Sequence, residues 1–423
     1  MKTASTLFAR LALCLIAAGV ALGVGTPSEV RLTPPSQLIP AGLFGMHIHH
    51  LATTTPWPVV RFANWRLWDA HVNWPDLEPV RGKWDFKTLD LYLDMAGQHH
   101  VDLLLPLALS PPWASARPDE RSNYALGNAA EPKDMSDWRD YVRTVGTRYK
   151  GRVHEYEIWN EPNVKGFWSG STEQMVELVR EAAKVLKQVD PNIRLISPSA
   201  TGPHGVEWLD QFLAAGGGAY ADVIGYHFYV TPNPPEEMVA MVSDVRRVMK
   251  KYGVNDKPVW DTETGWGIQN QLSKVGPGWY GTPISIEDAA AYVARAYVLL
   301  WASGVARFYW YAWDNGNAGL TERDGKTLKA PAQAYGELED WLLGAVMKSC
   351  ASDETDTWTC EISRGDTYRA WVLWNPNTVR RFTPPATWKI VQVRELPGEV
   401  HKLVRGEQAD IGPTPSLFEN RSR

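Results

Sequence analysis

Apolar runs that stop at polar or turn-forming residues alternate along the chain with stretches whose apolar positions recur every three or four residues. The strand-like runs fall at 43–49, 63–69, 101–109, 154–160, 194–198, 222–229, 258–262 and 306–313. Between them lies 86–99, with Leu89, Tyr92, Leu93 and Ala96 on one helical face, and similar amphipathic stretches occupy 136–149, 172–189, 235–252, 286–303 and 331–343. Ser136 and Thr172 stand where N-caps belong, and Pro191 follows the helix ending near Val189. The first strand leads into a short Pro-rich connection instead of a helix. Strands alternating with helices predict an α/β fold with a parallel sheet. Eight of them, with no Gly-rich dinucleotide turn after the first, favour a closed (β/α)8 TIM barrel over residues 43–344.

The pattern shifts after Gly344. TWTCEISRG, YRAWVLWN, WKIVQVREL and VHKLVRG are short alternating runs broken by Gly, Pro and Asn. They predict a small antiparallel β-sandwich accessory domain over 345–423, with 408–423 as a loose tail. Residues 24–42 read as an irregular lead-in. Residues 1–23 read as a signal peptide: Lys2 and Arg10 precede the apolar run Leu11 to Leu22, and Ala21-Leu22-Gly23 is a small-x-small cleavage site. Cys14 lacks the small residue that lipidation wants before it. The chain is expected to be exported, periplasmic or secreted, or retained at the inner membrane where the leader stays uncleaved. In that compartment Cys350 and Cys360 are expected to form a disulfide, worth on the order of 2–3 kcal/mol for so short a loop.

Length and charge narrow the function. The 423 residues suffice for one barrel plus an appendage. A formal net charge of -5 argues against a nucleic-acid partner. Nothing after the leader is apolar enough to span a bilayer, so no membrane span is expected in the mature chain. The 21 tryptophans exceed what packing alone asks for and point to an aromatic-lined groove.

The chemistry centres on EYEIWNEPN at 155–163. An apolar-aromatic strand stops at Asn160-Glu161, and Pro162 forbids its continuation, so Glu161 stands at a strand's C-terminal tip. In a parallel barrel that is where active sites are built. A second carboxylate, Glu263 in PVWDTETGWG, also ends an apolar strand. Retaining glycosidases need two carboxylates about 5–5.5 Å apart, one as nucleophile and one as acid and then base. Glu161 and Glu263 end the fourth and seventh strands. Glu155 and Glu157 share the strand of Glu161, and Glu157 is read as structural, paired with a nearby Arg.

With GMHIHH at 45–50, WRLWDAHVNWPDLEP at 65–79, IWNEPN at 158–163, GYHFY at 225–229 and DTETGWG at 261–267, the chain resembles glycoside hydrolase family 39 of clan A. Within that family it looks most like the bacterial exopolysaccharide-associated endoglycosidase branch. The resemblance implies Glu161 as acid/base, Glu263 as nucleophile, and Asn160 as the contact to the hydroxyl beside the reacting carbon. It further implies Arg66 beside Glu263, and His227 and Tyr229 lining the site, one of them bonded to the nucleophile. Arg66 could instead form a structural pair with Glu157 or Asp69.

Tryptophans 113, 168, 266, 310 and 313 fall where loops ring the mouth. Trp113, Trp266, Trp310 and Trp313 are candidates for sugar contacts, Trp266 and Trp313 foremost. Trp371, Trp374 and Trp388 read as the core of the β-domain. His47-Ile48-His49 also matches the HxH of metal-dependent amidohydrolase barrels, but the fifth strand lacks the His such sites require. In the glycosidase reading His47 and His49 are polar groups at the floor or rim of the sugar site. The chemistry then needs no metal and no cofactor. A non-catalytic glycan-binding barrel is a third class, which the presence of both carboxylates does not favour. The expected function is hydrolysis of O-glycosidic bonds in a polysaccharide or oligosaccharide by double displacement. Endo action on a bacterial exopolysaccharide is the first reading and exo β-xylosidase-type action the alternative.

Overall fold

The computed structural model describes residues 29–396 and 398–421. The leader and Cys14 lie outside the described residues. A curled parallel sheet forms the larger part. Its strands are β2 (Phe44–His47), β3 (Asn64–Arg66), β4 (Asp102–Leu107), β5 (Glu155–Ile158), β6 (Arg194–Ile196), β7 (Ala200–Thr201), β8 (Ile224–His227), β9 (Val259–Thr264) and β10 (Val305–Trp310). They are ordered β6-β5-β4-β3-β2-β10-β9-β8-β7, so the sheet's two ends are consecutive in the chain. Pro198, which has no N–H to give to a ladder, interrupts what is otherwise one run. Single bridges Asn160–Ser199 and Ile196–Val223 tie that run to strands on both sides.

Helices cover the outside: α1 (Trp74–Leu77), α2 (Lys87–His99), α3 (Met135–Arg148), α4 (Thr172–Val189), α5 (Gly202–Ala214), α6 (Glu237–Lys251), α7 (Ile286–Ala302) and α8 (Ala330–Leu342). The predicted N-caps are displaced by one or two residues. Asp134 caps α3 by accepting from the Ser136 N–H, and Ser171 caps α4 by accepting from that of Gln174. The apolar stripes behave as predicted: Leu89, Tyr92, Leu93 and Ala96 of α2 are all buried. Sequence periodicity missed α5. Its Gly-Pro start and Gly205 read as turn, yet Gly205 packs where a Cβ would meet the Tyr226 hydroxyl.

The remainder is antiparallel: β1 (Val30–Leu32), β11 (Val346–Ser352), β12 (Trp358–Arg364), β13 (Tyr368–Trp374), β14 (Arg380–Phe382), β15 (Gln392–Glu395), β16 (Val400–Lys402), β17 (Ala409–Ile411) and β18 (Ser416–Glu419). Seven of these make one sheet, β1-β11-β12-β13-β18-β15-β16, and β14 and β17 make a separate ribbon. This is not the sandwich of two comparable sheets that was expected. Along β13, Ala370, Val372 and Trp374 join the core shared with the helices, while Trp371 and Leu373 face a second core under the ribbon with Phe382 and Trp388. One face is thus covered by the parallel unit, and only the other needs a lid. The tryptophans pack internally as predicted, Trp371 on Trp388 at 4.4 Å and Trp358 on Trp374 at 5.5 Å.

Two further expectations are corrected. The lead-in is not irregular throughout, because Val30–Leu32 pairs with Ser352, Ala351 and Cys350. The tail is not loose, because Ser416–Glu419 is a fully buried strand between β13 and β15. Three or four residues are too short a run for alternation to be read, and pairing with strands distant in the chain supplies what local pattern lacks. Cys350 and Cys360 form a disulfide across directly opposed positions of β11 and β12. Among the described residues no helix is long and apolar enough to cross a membrane.

Candidate active site

The C-terminal ends of the parallel strands deliver their side chains to one mouth. Arg66 is the last residue of β3, His227 the last of β8, Glu263 the next to last of β9, and Asn160-Glu161 lie just beyond β5. The strands turn sharply there. Asp69, Leu109, Trp159 and Glu161 have φ of 56°, 66°, 65° and 44°, a left-handed conformation that non-glycine residues seldom adopt and that concentrates at functional sites. The Glu161 N–H is held by Ser199 O at 2.9 Å.

Arg66 organises the floor. Its buried guanidinium donates from Nε to Glu157 at 2.6 Å, from one terminal nitrogen to Glu263 Oε2 at 2.8 Å, and from the other to Asn160 Oδ1 at 2.7 Å. The predicted proximity to Glu263 and the structural pair with Glu157 therefore coexist, through the planar fork that only arginine offers. Asn160 Nδ2 is buried and has no hydrogen-bond partner among the described residues. Glu155, one turn of the pleat away, pairs instead with Arg194 and Arg307.

Glu161 and Glu263 face each other. One carboxylate oxygen of each and a ring nitrogen of His227 all lie within 4.8 Å of one another. Burial raises the Glu263 carboxyl well above its ordinary range; Arg66 opposes this, and the charges of Glu161 and Asp69 add to it. Two carboxyls this close in a dry site resist carrying charge together. Their hydrogen bonds differ. Glu263 accepts from Arg66 and from the Tyr229 hydroxyl at 3.1 Å, so charge is stabilised there.

Around Glu161 the chain of donors runs the other way. Burial holds His227 below the ordinary histidine range, so the ring is neutral at pH 7. The Thr262 hydroxyl donates to Glu157 at 2.8 Å, leaving its oxygen to accept from His227 Nε2 at 3.1 Å. With the ring proton on Nε2, Nδ1 is a lone pair 2.9 Å from Glu161 Oε1. A lone pair there can accept a hydrogen bond but has none to give to Glu161. Ser199 completes the network: with the Thr262 hydrogen on Glu157, its hydroxyl donates to Thr262 Oγ1 at 2.7 Å.

The two carboxylates open into a cavity of about 640 Å³ lined by Trp68, Asp69, Tyr124, Phe167, Tyr229, Trp279 and Tyr311, among others. Asp69 is clamped by hydroxyls of Tyr124 and of Tyr311, the latter at 2.7 Å. Burial and the charge of Asp69 push both phenols well up, so they remain donors. None of these residues except Tyr229 was singled out as a sugar contact from sequence. Asp69 and Trp68 sit inside the quoted WRLWD segment and Tyr311 lies between Trp310 and Trp313, so position along the strand was the signal available.

The predicted tryptophans do not line this cavity. Trp266 stacks on Trp310 and donates to Asn233 O at 2.9 Å, and both rings are buried. Trp313 is buried as well. Trp113 donates to Glu78 O at 2.9 Å and packs edge-on against Trp74 under Arg81. Strand parity explains the miss, since alternate residues of a barrel wall face the helices. His47 is also fully buried and braces β9 by its Nε2 contact to Thr262 O at 3.0 Å, away from the cavity. His49 lines a neighbouring hollow instead. The two rings are 6.2 Å apart, and among the described residues neither belongs to a cluster of acidic or histidine donors converging within 4.8 Å.

Residues 58–295 match the family model described as Glycosyl hydrolases family 39. Over 228 residues the chain is 27% identical to a β-xylosidase of Geobacillus stearothermophilus, covering 46% of this chain and 43% of that one. Over 241 residues it is 24% identical to an α-1,4-L-rhamnosidase of Formosa agariphila, covering 49% and 48%. The matches thus span less than half the length of either relative. A solved family 39 glycoside hydrolase from Bacteroides cellulosilyticus WH2 superposes with a TM-score of 0.71 at 18% identity, over 90% of this chain and 82% of that one, a likeness of fold.

Proposed function

Because the chain belongs to glycosyl hydrolases family 39, we propose that it is a retaining glycoside hydrolase in which Glu263 is the nucleophile and Glu161 the acid/base. The observation that carries this is the facing pair itself: oxygens within 4.8 Å, charge favoured on Glu263 by Arg66 and Tyr229, and a proton favoured on Glu161 by His227. An oxygen pair within 4.8 Å supports the short carboxylate separation of double displacement over the wider one that inversion uses.

In the first step Glu263 attacks the anomeric carbon while Glu161 gives its proton to the departing glycosidic oxygen. The C–O bond to the leaving group breaks and a glycosyl ester forms. In the second step Glu161, now a carboxylate, takes a proton from water, whose oxygen attacks the same carbon and releases Glu263. The unpartnered Nδ2 of Asn160 is a donor for the hydroxyl beside the reacting carbon. No cofactor enters this scheme.

The polysaccharide-directed, endo-acting reading, of the exopolysaccharide-associated kind, is our first choice. The β-xylosidase name of a relative favours exo action as the second. The fold reading that goes with either is a closed (β/α)8 barrel over 43–344, with 194–201 counted as one strand and an accessory β-domain over 345–423. Export of the chain is part of the same proposal. Mass spectrometry after incubation with a panel of 2-deoxy-2-fluoro glycosides tests the roles: the label is expected on Glu263, and a label elsewhere overturns them. Glu263→Gln is expected to abolish turnover, whereas Glu161→Ala spares substrates with good leaving groups. Wild-type rates for both variants on an unactivated glycan would sink the assignment.

A further inference from the structure

The catalytic cavity does not end at Asp69. A second hollow of about 510 Å³ continues beyond it, lined by His49, His50, His71, Asn128 and Asn315, among others. Asp69 and Tyr124, hydrogen-bonded to each other, line both hollows, so the two adjoin at this pair. The size suits a small polar ligand.

The second hollow is built to receive hydroxyl groups. His49 is only 4% exposed, lines the hollow, and its Nε2 has no hydrogen-bond partner. Buried nitrogens of this kind are exceptions in folded proteins and ask for a partner. Desolvation keeps the ring below the ordinary histidine range, so it meets a ligand as a neutral imidazole. Asp69 uses one lone pair of each oxygen on the clamping tyrosines, which leaves acceptor capacity on both. His50 is committed to Asp314, so the histidine and carboxylate charges there compensate each other. The lining is polar, with Asp69 and Asp76 as its carboxylates, which suits the hydroxyl groups of a sugar.

Its side of the cleft is also defined. His49 and His50 follow β2, Asp69 and His71 follow β3, Tyr124 and Asn128 lie beyond β4, and Asn315 beyond β10. Glu161 and its partner His227 belong to β5 and β8, and the leaving group must lie against Glu161. We propose that the second hollow is a glycone-side subsite, holding the sugar that precedes the one whose bond is cut. An enzyme so built binds at least two sugars ahead of the cleaved bond. This inference rests on the glycosidase reading above.

Paired 4-nitrophenyl glycosides test it, each β-xyloside, β-glucoside and β-mannoside against the corresponding β-1,4-linked bioside. With a few hydrogen bonds at stake, kcat/KM is expected to be at least about tenfold higher for the bioside of the sugar accepted. His49→Phe, which removes the unpartnered nitrogen, is expected to bring that ratio close to unity. Because His49 is buried, exposed His71→Ala serves as a second variant and is expected to lower the ratio by about threefold, one hydrogen bond's worth. Melting temperatures confirm that each variant is folded. Equal rates on monoside and bioside, or a preference for the monoside, overturn the subsite while leaving the glycosidase reading intact. Turnover of no member of the panel, together with no 2-deoxy-2-fluoro glycoside labelling Glu263, sinks the glycosidase reading and the subsite with it.

Discussion

Replacing Thr262 by valine tests the chain of hydrogen bonds that places the proton on Glu161. Valine keeps the shape and removes the hydroxyl, which donates to Glu157 at 2.8 Å and accepts from His227 Nε2 at 3.1 Å. A buried Nε2–H without an acceptor is destabilised by about 1–3 kcal/mol, so the ring moves its proton to Nδ1. Nδ1 then donates to Glu161, 2.9 Å away, and stabilises its ionised form. A hydrogen bond to a charged group contributes about 1.5–3 kcal/mol, and one pH unit corresponds to about 1.4 kcal/mol, so the change amounts to roughly 1–2 pH units. The sign is fixed: an acid that must be protonated now loses its proton at lower pH. The basic limb of kcat/KM against pH is therefore expected to move down by about that amount on a substrate with a poor leaving group. Substrates with good leaving groups need no proton in the first step and are expected to show a smaller shift. Thr262→Ser, which retains the hydroxyl, is expected to behave as wild type. A basic limb in Thr262→Val that stays in place, or moves up, refutes the reasoning.

Arg66→Met leaves Glu157 and Glu263 buried without their shared cation, and is expected to cost about 3–5 kcal/mol of stability by denaturant titration, as breaking a buried pair does. His50→Ala removes a half-exposed partner of Asp314, so the expected loss is under about 1 kcal/mol. Its pH dependence is distinctive. The pair raises His50, and that contribution is present below the ordinary histidine range and lost as pH rises through the folded value. Burial alone would raise Asp314, but hydrogen bonds from His50 and His49 hold it at about 2, so its contribution fades only as pH falls toward that value. The melting-temperature gap between wild type and His50→Ala is therefore expected to be wider at pH 5 than at pH 9. Cys350→Ser with Cys360→Ser opens a short loop and is expected to lower stability by roughly 2–3 kcal/mol, with thiol labelling of the unreduced wild type showing no free thiol at either position.

The parallel unit was legible because its strands are long apolar runs and its helices carry clean stripes. All eight predicted strands overlap observed ones within a few residues. Glu161, Glu263, Arg66 and Tyr229 were legible because each ends or immediately follows such a run. The aromatic contacts were not. Trp266, Trp310 and Trp313 share the loop-ringed region with Trp279 and Tyr311, and which ring faces the cavity depends on one residue of register and on local turns that alternation does not encode. His47 and Asp69 show the same limit from the polar side. A histidine on the first strand suggested a ligand and turned out to brace Thr262, whereas Asp69, considered only as an ion-pair partner, stands in the cleft. The short strands at 30–32 and 416–419 were lost because their identity lies in partners far along the chain.

The pairing of Val30–Leu32 with β11 has a consequence for how an edge of the sheet is protected. Val30 reaches Ser352 across 322 positions of sequence, so the guard strand is synthesised long before the seven-residue strand it covers. Until it docks, β11 presents an open row of backbone donors and acceptors, the kind of edge onto which another polypeptide can add. A second copy carries a matching guard strand, which makes exchange between copies the natural wrong product. Dimers linked through this edge are expected to accumulate when the first 32 residues are removed or held elsewhere while the rest of the chain folds.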